Sequence, residues 1–210
     1  EDSLSGNLLV RGGYIKKTSS GMYMLMPLGW KVILRIEAII RDEMQKIGCQ
    51  ELLMPALISE ETYVASGRRK GFGNSMFSLK DRKGQPYVLA PTHEELFAMA
   101  AKMKIHSYKD VPFSMYQMQT KFRDEPRPRY GLIRTREFIM KDAYTFDKDE
   151  AGMDVSYQKQ FQAYQNIMNR LHLQYRIVKA DTGIMGGLLS EEFQALTPMG
   201  EDTIVLCDAC

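Results

Sequence analysis

The chain has 210 residues, 44% hydrophobic and 26% charged, with a formal net charge of +2. That is the composition of a globular domain with room for one sizeable core, and the near-neutral balance means that any nucleic-acid contact has to come from a local patch. No run of about 18 apolar residues occurs, so no membrane span is expected, and three cysteines (Cys49, Cys207 and Cys210) do not make a disulfide framework, which favours a reducing compartment.

The first periodic segment has Ile33, Ile36, Ile40, Met44 and Ile47 at steps of three and four. It predicts an amphipathic helix over Trp30–Ile47 with one core face, and Gly48 suits its C-terminal cap. Glu51–Met54 reads as a short strand stopped by Pro55. Met76–Leu79 and Pro86–Leu89 flank Asp81-Arg82-Lys83-Gly84, a hairpin signature. A helix is predicted over Thr92–Lys104, opened by a capping box in which Thr92 caps and Glu95 reaches back; Glu94 is not needed by that box, and His93 reads as a surface or packing residue. Pro112–Met118 and Glu137–Met140 read as strands. Asp147–Leu171 predicts a longer helix, with Asp147 as N-cap and Glu150 three residues on. Gln174–Ala180, Phe193–Leu196 and Thr203–Leu206 are expected to be strands. The glycines from Gly183 to Gly187 match neither the P-loop nor the dinucleotide spacing and predict a tight turn. Hairpins mixed with long helices point to an α+β fold, an antiparallel sheet flanked by helices. No repeat, low-complexity segment or internal linker is present, so one domain is expected over residues 1–206.

The stretch from Lys121 to Arg136 is the most informative. It holds six cations (Lys121, Arg123, Arg127, Arg129, Arg134 and Arg136) and two acids (Asp124 and Glu125), with two prolines and a glycine between strand-like flanks. This predicts a hairpin with a long cationic loop. Arginine forks suit phosphate oxygens, and so many cations near one turn call for an anionic ligand or interleaved acids.

Phe122-Arg123-Asp124-Glu125 followed by Arg134 and Phe138 resembles the second signature motif of class II aminoacyl-tRNA synthetases. Met26-Pro27-Leu28-Gly29, Leu53-Met54-Pro55-Ala56-Leu57, Ala90-Pro91-Thr92-His93-Glu94-Glu95, Phe138-Ile139-Met140-Lys141-Asp142-Ala143-Tyr144, Met185-Gly186-Gly187 and Gly200-Glu201-Asp202-Thr203-Ile204 are similar, in order, to words of the bacterial and organellar prolyl-tRNA synthetases. The helix, strand and proline of Trp30–Pro55 look like the first motif, the dimer interface in that family.

The resemblance implies the catalytic core of an enzyme that activates proline with ATP and transfers it to tRNA(Pro), with Mg2+ as the attendant ion. By resemblance, Arg123 contacts the α-phosphate and is the catalytic residue, Glu125 contacts the adenine amino group, Arg134 the distal phosphates, and Phe138 lies under adenine. Thr92 and Glu94 contact the bound proline. Arg127 and Arg129 are expected to meet the acceptor end of the tRNA, while Tyr130 packs the turn. No metal-binding residue is assigned, and Asp142 receives no role. Where the family usually has Ser-His-Glu-Phe, this chain has Ser190-Glu191-Glu192-Phe193, so no role passes to Glu191. Cys207 and Cys210 make half of a zinc-type pair; residues 207–210 could open an inserted editing domain. The family's third motif and anticodon-binding domain are not found, so the chain reads as part of an enzyme, inactive alone. The resemblance further implies a homodimer and a cytoplasmic location, or an organellar matrix. Two other readings remain open: a non-catalytic synthetase-like module that binds tRNA or regulates, and a plain RNA-binding protein using the cationic hairpin.

Overall fold

The computed structural model describes residues 3–183, 186–187, 189–200 and 202–207. The N-terminal part, which the sequence pattern left unread, forms helix α1 (Leu4–Arg11) and a hairpin of β1 (Ile15–Ser19) and β2 (Met22–Leu25). Helix α2 (Pro27–Lys46) starts three residues before the predicted position because Pro27 suits the first helical turn, where no amide donor is needed. Gly29 is required there: a Cβ would stand 2.2 Å from the Tyr14 carbonyl oxygen. Of the predicted core stripe on α2, only Met44 is fully buried, whereas Glu37 and Glu43 are buried and paired with Arg41 and with Lys46 and Arg170.

The predicted strand at Glu51–Met54 contracts to β3 (Gln50–Glu51). The ladder ends because side chains take over from a neighbouring strand. The Met54 amide donates to Gln117 Oε1 at 3.0 Å, and the Met54 carbonyl accepts from Gln119 Nε2 at 2.6 Å. Next come β4 (Leu57–Ser59) and the short helices α3 (Glu60–Ala65) and α4 (Arg68–Phe72). The predicted hairpin follows as β5 (Ser78–Lys80) and β6 (Pro86–Leu89), with the Asp81 carboxylate accepting from the Lys83 and Gln85 amides. Its first strand starts late because Met76 belongs to a core with Ile58, Tyr63, Val88 and Ala90.

Helix α5 (Glu94–Lys104) is followed by the two long strands β7 (Phe113–Phe122) and β8 (Glu137–Phe146). They pair antiparallel from Phe113 opposite Phe146 to Phe122 opposite Glu137, and β3 joins β7 in parallel. Both strands outrun the predicted ones. Alternation gives this sheet two faces. Tyr116 faces α2 and α6 (Glu150–Arg170), packing with Met44, Cys49, Ala163 and Ile167. Met115 faces the other way, with Phe97 and Ala101 of α5, and the Phe97 and Tyr144 rings lie 4.2 Å apart. The fold is therefore α+β with the central antiparallel pair covered by helices, as expected.

Helix α6 is capped by Asp149, which accepts from the Gly152 amide, and not by Asp147, which instead accepts from Ser156 Oγ at 2.6 Å. Strands β9 (Tyr175–Lys179) and β10 (Glu191–Ala195) pair antiparallel around the Phe193 ring, which meets Phe161, Tyr164 and Tyr175. Residues 202–207 form no strand, contrary to the reading of Thr203–Leu206, and are largely solvent-exposed. The turn predicted over Gly183–Gly187 lies partly, and the Cys207–Cys210 pair through Cys210, outside the described residues.

Candidate active site

The end of β7, the start of β8 and the turn into α5 converge on one corner of the sheet. Arg123 follows the last residue of β7; its amide donates to the Arg136 carbonyl at 2.9 Å. Its guanidinium carbon lies 5.3 Å from the centre of the half-buried Phe138 ring, a cation–π contact. The side chain is exposed, yet desolvation by surrounding protein pushes its pKa down and the charge of Glu94 pushes back. The guanidinium stays protonated throughout.

The cations of the loop are divided by the two acids. Arg134 Nε meets Glu125 Oε2 at 3.0 Å, and this pairing holds the Glu125 carboxyl below the usual carboxylate range. Arg136 donates to the Glu125 carbonyl and lies 3.7 Å from Asp124. Arg127 and Arg129 are exposed, and the Arg129 guanidinium lies over the Tyr130 ring. Tyr130 adopts φ 60°, the left-handed region, so it shapes the turn with its backbone as well. The N-terminal elements clasp this loop. A Cβ on Gly21 would come within 2.7 Å of Pro128, and one on Gly131 within 2.9 Å of Gly6.

The capping box at Thr92 does not form. Helix α5 is capped by His93 without a side-chain hydrogen bond, because Thr92 and Glu95 have other partners. Thr92 Oγ1 donates to Glu94 Oε2 at 2.5 Å, and Arg68 Nη1 donates to that same oxygen at 2.9 Å. Glu95 accepts from Ser66 and Arg68. The Thr92 carbonyl accepts from the Tyr63 hydroxyl at 2.6 Å.

His93 is not a surface residue: both it and Lys121 are fully buried. The Lys121 ammonium contacts His93 Nδ1 and lies 2.9 Å from Asp142 Oδ1. His93 Nε2 donates to the Pro55 carbonyl at 2.9 Å. These partners assign the neutral tautomer, with the proton on Nε2. Burial, then the Lys121 charge, pushes the imidazole pKa down; burial also lowers that of Lys121, against Asp142. Asp142 Oδ2 accepts from Gln117 at 3.1 Å and from Tyr144 at 3.0 Å. Burial, then Glu94, raises the Tyr144 phenol. The sequence reading passed over Lys121 as one more loop cation and left Asp142 without a role. The available signal was alternation: Gln117, Lys121 and Asp142 are polar residues at inward positions of strands whose neighbours there include Met115 and Tyr144.

The candidate site residues Thr92, Glu94, Arg123 and Phe138 thus meet through His93 and Lys121, while Glu125 and Arg134 pair with each other just beyond, and Arg127 and Arg129 lie further out on the loop. A family model, the tRNA synthetase class II core domain (G, H, P, S and T), matches residues 77–210. The chain belongs to the class II aminoacyl-tRNA synthetase family. Among relatives of this class II core, a proline–tRNA ligase of Nocardioides sp. is 54% identical over 206 residues, which cover 98% of this chain and 35% of the relative. One from Corynebacterium diphtheriae is 52% identical, covering 96% and 34%. Prolyl-tRNA synthetase of Giardia lamblia, solved in complex with prolyl-adenylate, shares the fold with a TM-score of 0.77 at 20% identity, covering 82% of this chain and 36% of that one. That of Cryptosporidium parvum, complexed with L-proline and AMP, gives 0.78 at 17% identity, covering 89% and 38%. The class II chain described here spans about a third of the length of these relatives.

Proposed function

We propose that the protein to which this chain belongs joins proline to tRNA(Pro) through a prolyl-adenylate. The observation that carries this reading is the meeting of two motifs far apart in sequence. The turn Thr92–Glu94 and the strand that leads into Arg123 are joined by the contact of His93 with Lys121. An amino-acid ammonium at Glu94 and an α-phosphate at Arg123 would then lie in one corner.

In the first step a proline carboxylate oxygen attacks the α-phosphorus and the bond to the β-phosphate oxygen breaks, releasing pyrophosphate. The carboxylate is already an anion, so no general base is needed; the site must align it and neutralise charge on the phosphoryl oxygens. Arg123 takes the α-phosphate, Phe138 and Glu125 take adenine by stacking and by hydrogen bond, and Arg134 exchanges Glu125 for the distal phosphates. Glu94, with Thr92, pairs with the secondary ammonium of proline. In the second step a terminal ribose hydroxyl of the tRNA attacks the carbonyl and AMP leaves, with Arg127 and Arg129 holding the acceptor strand. Among the described residues no group of three or more His, Cys, Asp or Glu is arranged to hold a metal ion. We infer that Mg2+ would enter with the phosphates of ATP, as is usual for an ion that keeps its waters, and no protein step is assigned to it.

We also assign self-association to the region Trp30–Pro55. Trp30 and Leu34, four residues apart on one face of α2, are exposed, and Leu53 further along the chain is 72% exposed. Apolar exposure of this kind suits a protein interface, and a second copy in a cytoplasmic homodimer is the partner we infer. No helix among the described residues is long and apolar enough to cross a membrane.

The test is amino-acid-dependent exchange of labelled pyrophosphate into ATP by the full-length protein, across all twenty amino acids. Exchange that depends on proline is expected. Its absence, or dependence on another amino acid, overturns the reading.

A further inference from the structure

We infer that Lys121 is a positioning residue for the amino-acid site: acting through His93, it fixes the turn that carries Thr92 and Glu94 against the strand that leads into Arg123. This rests on the proposed role of Thr92 and Glu94 in holding proline.

The turn needs such a device because its one local side-chain bond, from Thr92 to Glu94, does not reach the helix backbone. The N-terminus of α5 has no side-chain cap, and the hydroxyl that could have supplied one is committed to Glu94. What fixes the turn comes from elsewhere in the fold. Tyr63 of α3 donates to the Thr92 carbonyl, and the Phe122 amide donates to the Ala90 carbonyl at 3.0 Å. His93 is gripped from both ring nitrogens, by the Pro55 carbonyl on one side and by Lys121 on the other. Pro55 is itself held in place, since its neighbour Met54 is bound on amide and carbonyl by Gln117 and Gln119. Gln117, Gln119 and Lys121 alternate along one face of β7, and Arg123 continues it. One strand therefore leads into the catalytic arginine and anchors both the turn of the amino-acid site and the Met54–Pro55 segment that His93 meets.

Burying an ammonium and a carboxylate is expensive, and a pair of apolar side chains could fill the same space at no loss of stability. Asp142 is held by Gln117 and Tyr144 independently of Lys121. What the lysine adds is a donor long enough to cross from β7 to His93 while its charge is balanced by Asp142. The alignment of carboxylate and phosphate that it secures is sensitive, since a shift of about 1 Å in a reacting group can cost about 100-fold in rate.

The experiment uses the full-length enzyme and the paired substitution Lys121→Met with Asp142→Asn. It removes both charges together while keeping length at Lys121 and the bonds to Gln117 and Tyr144. Pyrophosphate exchange is measured against proline and against ATP, alongside the melting temperature. We expect a folded protein whose KM for proline rises at least about tenfold while its KM for ATP moves less than about twofold, the split that displacement of one substrate's contacts produces. His93→Gln, which keeps a donor for Pro55 but shifts the acceptor for Lys121, should move the proline KM in the same direction. An unchanged proline KM in a folded paired variant, an equal rise for both substrates, or failure of the paired variant to fold overturns the positioning role. Absence of proline-dependent exchange in the unsubstituted enzyme overturns the reading of the site itself.

Discussion

Glu94→Gln separates recognition of proline from support of the fold. In the structure Glu94 Oε2 accepts from Thr92 at 2.5 Å and from Arg68 at 2.9 Å, and the Glu94 side chain is 32% exposed. A glutamine keeps one acceptor oxygen, and Arg68 keeps its contact to Glu95 Oε1 at 3.1 Å. The half-open ion pair is worth at most about 1 kcal/mol, so the melting temperature should fall by no more than about 4 °C for a core of this size. The loss to a bound substrate is larger. A charge-assisted bond contributes about 1.5–3 kcal/mol, which converts to proline affinity about 10- to 150-fold weaker. ATP affinity should change little, because Glu94 acts on Arg123 only through its charge. Calorimetric titration of proline and, separately, of ATP into the full-length enzyme reads both quantities. Equal proline affinity in the parent and the variant would refute the pairing of Glu94 with the substrate ammonium.

Four further outcomes are expected. Arg123→Ala should slow proline activation by about two orders of magnitude or more, and Arg123→Lys should also be poor because the planar fork is lost; near-normal pyrophosphate exchange in either removes Arg123 from the mechanism. Arg127→Ala should spare adenylate formation and impair transfer to tRNA, and an equal fall in both half-reactions would return the loop to an ATP-binding or structural role. Phe97→Ala, which opens a cavity under α5 against Tyr144 and Met115, should destabilise the core by about 3–5 kcal/mol in urea titration. Stability should also fall in acid: burial holds the His93 imidazole below its ordinary value, so the unfolded chain takes up a proton that the folded chain refuses once pH drops below about 6.5. The loss continues down to the folded value, and a slope in this window that is unchanged in His93→Gln assigns it to another group.

The residues proposed to meet phosphate stood out because the continuous word Phe122-Arg123-Asp124-Glu125 opens a loop that needs a reason for its charge. The long helices and the central hairpin were legible through their periodicity. The errors share a cause. Thr92 and Glu95 have the spacing of a capping box, but Glu94 takes the Thr92 hydroxyl and Ser66 and Arg68, about 30 residues away, take the Glu95 carboxylate, which the box spacing does not report. Asp147 and Asp149 are equally good caps on paper; Ser156 engages the first and leaves the second. Glu51–Met54 has strand composition, yet Gln117 and Gln119 satisfy its backbone with side chains. The network of His93, Lys121 and Asp142 draws on three elements, and only the inward polar alternation of β7 and β8 hinted at it.

The ten-residue pairing of β7 with β8 has one further consequence. A hairpin closed by a tight turn inherits its alignment from that turn, but the connection here is long and rich in proline and glycine and imposes none. Sliding β7 by one position would turn Lys121 onto the opposite face of the sheet and leave the buried Asp142 without its cation. An uncompensated buried charge costs several kcal/mol, which adds to the cost of turning Tyr116 and Met115 to the wrong faces. The buried pair therefore favours the one alignment that brings Lys121 and Asp142 together on the α5 side of the sheet.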